Sequence, residues 1–128
     1  MLHTFRFDTQ SHAINFVESY RVKNGVTCDV YTFRDDTSKD LAIITISAGS
    51  CTPRQRVVAG EETIEGRLSG QGTLTIWRDG MSSVYDTGTP QRVIVGEEMQ
   101  WQATGHGNLI CYEICTPPYS DGRFIDLD

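Results

Sequence analysis

The chain of 128 residues has little positive charge. Its 11 Lys and Arg residues are outnumbered by 17 Asp and Glu residues, which gives a formal net charge of −6. Proteins that bind nucleic acid neutralise phosphates with a basic stripe, and this chain has none. The same deficit argues against attraction to an anionic membrane surface, and no apolar run approaches the ~20 residues that span a bilayer. We therefore expect neither a nucleic-acid nor a membrane partner.

Signals for export are also missing. The first residues, MLHTFRFDTQSH, contain neither the basic nor the apolar region of a secretory signal, so a cytoplasmic location is expected. In that location Cys28, Cys51, Cys111 and Cys115 are expected to be reduced. If Cys111 and Cys115 lie on one strand they are ~13 Å apart, which is too far for a disulfide.

Short β-branched and aromatic segments recur between turn signals through most of the chain. Strands are predicted at 26–34, 41–47, 63–68, 73–77, 83–85, 92–95, 99–103 and 109–115. Ser69-Gly70-Gln71-Gly72 and Asp79-Gly80 predict two hairpin turns. About eight to ten short strands at close spacing favour a sandwich or closed barrel, and the length suits one domain.

The N-terminal segment has a different pattern. Residues 2–7 predict a short edge strand, and a helix capped by Asp8 or Thr9 is predicted to continue through Tyr20. Its apolar residues fall roughly on one side. At the other end, Pro117-Pro118 is predicted to end regular strand pairing.

Two stretches in the middle of the chain resemble each other. They are Gly49 to Gly70, GSCTPRQRVVAGEETIEGRLSG, and Gly88 to Ala103, GTPQRVIVGEEMQWQA. Their glycine and proline spacing resembles the two conserved motifs of the cupin superfamily. The resemblance implies an all-β, single-domain jelly-roll barrel at roughly 26–116. The strand and short helix at 1–25 would precede it, and a tail at 117–128 would follow.

Cupins commonly hold a divalent metal inside the barrel through a His-x-His pair, a Glu and a further His. On this sequence the paired His positions fall near Gln55 and Val57, and the last His position falls on Met99. The Glu position falls on Glu62 or Thr63. Because none of the three motif positions holds a His in this sequence, we expect no metal cofactor. The least unfavourable ligands in the chain are Glu62, Glu65 and His106.

The side chains that face the barrel interior depend on strand register. If the Thr63 face points inward, Glu65 and Arg67 line a pocket, whereas a slip of one residue sends both to solvent. In the second motif Met99 and Trp101 would point inward. On the last strand, two pairs compete for the interior: Cys111 with Glu113, or Ile110 with Tyr112.

The favoured hypothesis is a metal-independent cupin that binds a small polar molecule, sugar- or carboxylate-like, in the barrel. Arg54 and Arg56 suggest an anionic group on the ligand, because guanidinium pairs with carboxylate or phosphate. The full set of predicted ligand-binding residues is Arg54, Gln55, Arg56, Glu65, Arg67, Met99, Trp101 and Tyr112.

Two alternatives remain open. One is a metal-free isomerase, epimerase or lyase that uses acid–base chemistry, with Glu65, Tyr112 and Glu113 as candidate catalytic residues. A buried Glu within reach of a second titratable group in the barrel would favour this enzyme, whereas a Glu paired only with Arg67 would favour binding. The other alternative is a structural barrel filled by its own side chains.

A homodimer is expected under every reading, since uncovered edge strands need a partner or a charged rim. The cluster of Tyr112, Tyr119, Asp121 and Arg123 near the C-terminus is expected to serve packing or dimerisation.

Overall fold

The computed structural model describes residues 2–86, 88–120 and 122–127, and these residues form twelve strands in two sheets, with no helix. The larger sheet has the order β1 (Thr4–Phe7), β2 (Gln10–Lys23), β3 (Val26–Phe33), β4 (Asp36–Ile46), β11 (Leu109–Thr116), β6 (Glu62–Ser69) and β9 (Gln91–Ile94). The smaller sheet has the order β12 (Phe124–Asp126), β5 (Gln55–Val57), β10 (Glu98–Ala103), β7 (Gly72–Arg78) and β8 (Met81–Tyr85). The predicted all-β jelly roll is confirmed.

A hydrophobic core fills much of the space between the two sheets. The larger sheet contributes Val26, Ile46, Val93 and Leu109, and the smaller sheet contributes Leu74, Ile76, Met99 and Trp101. Side chains alternate between the two faces of each strand, so one inward residue in two builds this core. On β10 the alternation leaves Met99, Trp101 and Ala103 buried, in the inward orientation expected from the sequence.

A second core covers the outer face of the larger sheet. It contains Phe5, Ile14, Tyr31, Phe33, Leu41, Ile43, Tyr112 and Ile114. The Phe5 and Tyr112 rings meet edge to face with centroids 5.1 Å apart, so the β1–β2 hairpin curls over this outer face. Tyr112 therefore points away from the barrel interior. Of the two pairs proposed for β11, Cys111 and Glu113 are the inward one.

The predicted N-terminal helix is wrong. Residues 10–23 form β2, which pairs with β3. Asp8 and Thr9, the proposed helix caps, instead have φ angles of 52° and 62° and form the tight turn between β1 and β2. The apolar residues of this segment do not share a buried face, since Ile14 is buried while Phe16 and Val17 are exposed. Pairing with β3 decides the structure where helix propensity is weak.

One of the two predicted hairpins is also wrong. Asp79-Gly80 joins β7 to β8 as predicted, but Ser69–Gly72 carries the chain from the larger sheet to the smaller one. Gly70 has a φ of 83°, and a Cβ there would overlap the backbone carbonyl of Asn108. The glycine thus serves a crossover between sheets.

The C-terminal tail does not stay outside the sheets. After Pro117-Pro118 it returns as β12, which pairs with β5, contrary to the prediction that regular pairing ends there. Asp121 lies outside the described residues. Within the described part of the chain, no helix is long and apolar enough to cross a membrane. Homodimerisation stays a prediction.

Packing of Tyr112 on the outer face predicts the effect of Gly66→Ala. Gly66 is opposite Tyr112 in the β6–β11 register, and a Cβ at residue 66 would overlap the Tyr112 ring. That ring is held between Phe5 and Phe7, so it has little room to move. Overpacking of this kind costs about 1–3 kcal/mol. Urea unfolding should show this loss for Gly66→Ala.

Gly107→Ala is the matched control, because a Cβ at residue 107 meets nothing within 4 Å. Its unfolding free energy should stay within about 0.5 kcal/mol of wild type. Equal losses in the two variants would contradict this placement of Tyr112.

Candidate functional site: an acidic cavity between the sheets

The register of β11 places two glutamates side by side in the barrel interior. Glu113 is directly opposite Glu65 on β6 and Ala42 on β4. Residues opposite each other in an antiparallel pair share a face of the sheet. Thr63 is 0 % and Glu65 1 % exposed, so the Thr63 face is the inward one. Of the two registers that the sequence left open, the structure has the one that buries Glu65.

Glu65 has the least solvated carboxyl of this face. Its Oε1 accepts a hydrogen bond of 2.9 Å from Trp101 Nε1, whereas its buried Oε2 has no donor among the described residues. Burial raises the pKa of Glu65 well above its ordinary value, and the adjacent Glu113 raises it further. The hydrogen bond from Trp101 acts in the opposite direction and lowers the pKa by a smaller amount. Glu65 therefore favours its protonated form, in which it can donate a hydrogen bond to Glu113.

A cavity of about 100 Å³ lies beside Glu113. This is smaller than the sites of drug-sized ligands, so it suits a small molecule or one end of a larger one. Apolar residues form much of its wall: Val22, Val26, Val30, Leu41, Ala42, Ile44, Pro53 and Phe124. Its polar and thiol-bearing lining residues are Tyr20, Cys28, Asp40, Thr52, Gln55, Glu113, Cys115 and Tyr119.

The charge that lines the cavity is acidic. Asp40 and Glu113 contribute carboxyl groups, and no described Lys, Arg or His lines the wall. Burial is the main cause that raises the pKa of Asp40, although its Oδ2 accepts a 3.0 Å hydrogen bond from the Tyr119 backbone N–H. An anionic ligand would meet repulsion from these carboxyl groups.

Arg123 is the buried cation nearest this region, and it is engaged elsewhere. Its guanidinium donates to the carbonyl oxygens of Glu62, Thr116 and Pro117 at 2.7–2.8 Å. Its charge still lowers the pKa of Asp40, as a smaller effect than burial. Arg123 thus ties the C-terminal tail to the larger sheet.

The thiols in the wall are poor nucleophiles. Burial raises the pKa of Cys28 to about 12 and that of Cys115 further still. All four cysteines are free, as expected from the sequence. Cys115 Sγ donates to Glu113 Oε1 at 3.4 Å, so it serves as a weak hydrogen-bond donor to the central carboxyl.

Arg54 and Arg56 lie on the outer face of the smaller sheet, contrary to the prediction that they line the pocket. Both bind Glu98, at 2.6 and 2.8 Å, and Arg54 stacks 3.7 Å from the centre of the Trp77 ring. Their register opposite β10 sends Gln55 inward instead, so Gln55 alone of this trio reaches the cavity. The argument for an anionic ligand loses its support.

The other predicted residues divide between the core and the surface. Met99 and Trp101 point inward but belong to the core, and Tyr112 lies on the opposite face of the sheet. Arg67 donates to the Asp86 carbonyl at 3.2 Å rather than to Glu65. Of the three candidate catalytic residues, Glu65 and Glu113 are together and Tyr112 is not.

Sequence reasoning missed Asp40, Tyr20 and Thr52. Asp40 fell outside the strands predicted at 26–34 and 41–47, and Tyr20 was placed on a helix, whereas both are on strands. An alternation of Asp40, Ala42 and Ile44 continues through β4 and could have revealed the inward position of Asp40.

The donor set does not fit the metal site that the fold commonly carries. Val57 and Met99, at two of the expected ligand positions, are buried core residues. Glu62 instead pairs with Arg92 at 3.2 Å, and His106 is exposed in a turn. Over the described ranges, no three His, Cys, Asp or Glu side chains are arranged to hold a metal ion.

Solved structures resemble this fold at low sequence identity. Oxalate decarboxylase from Bacillus subtilis superposes with a TM-score of 0.68 and 16% identity over 84% of this chain. The formate complex of the Lactobacillus farciminis oxalate decarboxylase gives 0.68 and 14% over 89%. The chain spans only 29% and 33% of those two proteins.

A third similar structure is a Streptomyces PAC13 variant with uridine, at a TM-score of 0.64 and 14% identity. The match covers 87% of this chain and 84% of PAC13, so the two have similar lengths. No family model and no curated protein sequence matches the chain. The fold is therefore the cupin-type jelly roll.

The buried Glu65 predicts how stability depends on pH. Its pKa in the folded protein lies above the value of about 4.3 expected in the unfolded chain. Above that pH the unfolded chain releases a proton that the folded chain keeps, so the unfolding free energy falls as pH rises toward the folded pKa. Glu65→Gln cannot ionise and keeps the hydrogen-bonding shape. It should remove up to about 1.4 kcal/mol of this fall per pH unit.

Urea unfolding of both proteins from pH 4 to 8.5 measures the difference. The two curves should converge near pH 4 and separate as pH rises, with the variant more stable. Glu61→Gln, at an exposed residue, is the control and should follow wild type. A constant offset between Glu65→Gln and wild type at every pH would contradict the buried protonated state.

Proposed function

We propose that this protein is a metal-independent cupin-fold protein that binds a small, uncharged, hydroxyl-bearing molecule in the cavity beside Glu113. The observation that carries the proposal is the combination of apolar walls with several polar groups in one cavity. The presence of this cavity also argues against a barrel that is completely filled by its own side chains.

The chemistry of the lining supports a sugar-like ligand over a carboxylate-like one. Glu113 and Asp40 offer carboxyl oxygens, which accept hydrogen bonds from hydroxyl groups. Gln55 and Tyr20 add amide and hydroxyl groups that can donate as well as accept. A carboxylate ligand would lack a cationic partner in the described wall. Metal independence is proposed because two of the positions that carry ligands in metal-binding cupins, Val57 and Met99, hold core side chains here.

The comparison with PAC13 supports the same class of ligand. That protein is of similar length, and its structure was determined with uridine, an uncharged molecule that carries several hydroxyl groups. At 14% identity the likeness extends to the fold alone, so uridine and ribose are used below as probes.

A larger apolar side chain in place of Ala42 would fill the cavity without any change in charge. Ala42 lies between Glu113 and Val30 in the sheet register, and its side chain lines the cavity. Ala42→Leu should weaken binding of ribose or uridine by about tenfold or more, which is ~1.4 kcal/mol. Ala42→Val should have an intermediate effect. Chemical-shift titration of ¹⁵N-labelled protein measures both.

Ala48→Leu, in an exposed turn, is the matched control and should bind as wild type does. Native mass spectrometry of freshly purified protein, compared with the denatured mass, is a second test. A small organic adduct that is lost in Ala42→Leu supports the proposal. A stoichiometric divalent metal, or binding that is unchanged by Ala42→Leu, contradicts it.

A further inference from the structure

Glu113 connects the cavity to the buried glutamate pair. Its side chain contacts Glu65 on one side and lines the cavity on the other, and it is 8 % exposed. Glu65 has no contact with the cavity and is 1 % exposed. A ligand in the cavity therefore meets one member of the pair directly and the other only through it.

Two carboxyl groups in contact inside a barrel cannot both be ionised at low cost. Pairs of this kind retain one proton between them, and the more deeply buried group is the one whose charged form is less favourable. Here that group is Glu65, which also lacks a donor to Oε2 among the described residues. Glu113 is the member of the pair that faces the ligand.

The groups around Glu113 come from several elements. Glu65 is on β6, Asp40 on β4, Cys28 on β3, Tyr20 on β2, Cys115 on β11, and Arg123 on the tail. Burial raises the pKa of Cys28, Cys115 and Tyr20, which keeps these three groups uncharged. Asp40 and Glu65 are thus the acidic neighbours of Glu113.

We propose that Glu113 transfers a proton to and from the molecule bound in the cavity, and that Glu65 is the positioning residue that holds the second proton of the pair against it. The inference rests on the proposed function, because it needs a ligand in that site. The placement of buried Glu65 opposite Glu113, with Arg67 bonded to the Asp86 carbonyl instead, supports the inference.

The chemical class that this arrangement serves is a small hydroxylated carbonyl compound. The Glu113 carboxylate takes a proton from the carbon next to the carbonyl group. The electron pair of that C–H bond forms a C=C bond, and the carbonyl π pair moves to oxygen, which accepts a proton from a hydroxyl group such as that of Tyr20. Glu113 then returns the proton to the former carbonyl carbon. At the same time the hydroxyl group on the neighbouring carbon gives its proton back to the Tyr20 oxygen and becomes the new carbonyl group, which completes an isomerisation. No oxidant or reductant is required, since electrons and atoms balance within the substrate.

Solvent hydrogen exchange tests the proton transfer directly. Dihydroxyacetone, ribulose, xylulose and fructose are each incubated with the protein in D₂O, and deuterium at the carbon next to the carbonyl is followed by NMR. Saturation-transfer NMR shows which of these probes bind. For at least one bound probe, exchange should exceed the protein-free rate by about 100-fold or more, as expected of a positioned general base. Glu113→Gln should return exchange to background while the probe still binds.

The role of Glu65 needs a readout that a structural role would not change. Glu65→Gln keeps a hydrogen-bond donor beside Glu113 but cannot ionise. It should retain exchange near neutral pH and lose the decline at high pH that wild type shows when the pair gives up its last proton. Glu65→Ala, which removes the donor, should lower exchange at every pH. Glu61→Gln is the matched control on the surface.

The outcomes separate this inference from the proposed function. A probe that binds in the cavity without exchange, or exchange that survives in Glu113→Gln, overturns proton transfer and leaves binding intact. If none of the four probes, ribose and uridine binds, both are overturned.

Discussion

The contact between Glu65 and Glu113 is the constraint on which the interior of this barrel depends. Each carboxyl is brought there by strand register rather than by attraction, since β11 places them opposite each other on the inward face. The structure accommodates the contact by donating Trp101 Nε1 to Glu65 and Cys115 Sγ to Glu113, and by favouring a retained proton. On the facing sheet, Met99, Leu74 and Ile76 belong to the hydrophobic core. The polar chemistry is confined to one side of an otherwise apolar interior.

The fold was predictable from local patterns because those patterns report the properties of single strands. Turn residues such as Asp79-Gly80 and the apolar run at Leu41–Ser47 lie where the structure has a turn and a strand. The helix predicted to end at Tyr20 failed because β3 offers a long pairing partner that no local window contains. The hairpin at Ser69–Gly72 failed for a similar reason, since its two strands find their partners in different sheets.

The candidate site was predictable only in part. Alternation along the strand placed Glu65 on the same face as Thr63. Pairing with β11 was needed to show that this face points into the barrel. Arg54 and Arg56 were assigned to the pocket by residue type, but Glu98 on the neighbouring strand binds both on the outer face. Asp40 was overlooked because the strand was predicted to begin at Leu41, whereas it begins at Asp36. Cross-strand neighbours decide the chemistry of this site, and a single sequence does not contain them explicitly.

The C-terminal tail carries a further consequence. Tyr119 and Phe124, whose rings stack, form part of the cavity wall, while Arg123 anchors the same segment through three carbonyl oxygens and β12 joins it to β5. This part of the wall exists only while the segment is docked against the two sheets. Occupancy of the cavity and local unfolding of the tail are therefore thermodynamically linked, so that a bound molecule slows amide exchange in the tail as it does at its own contacts.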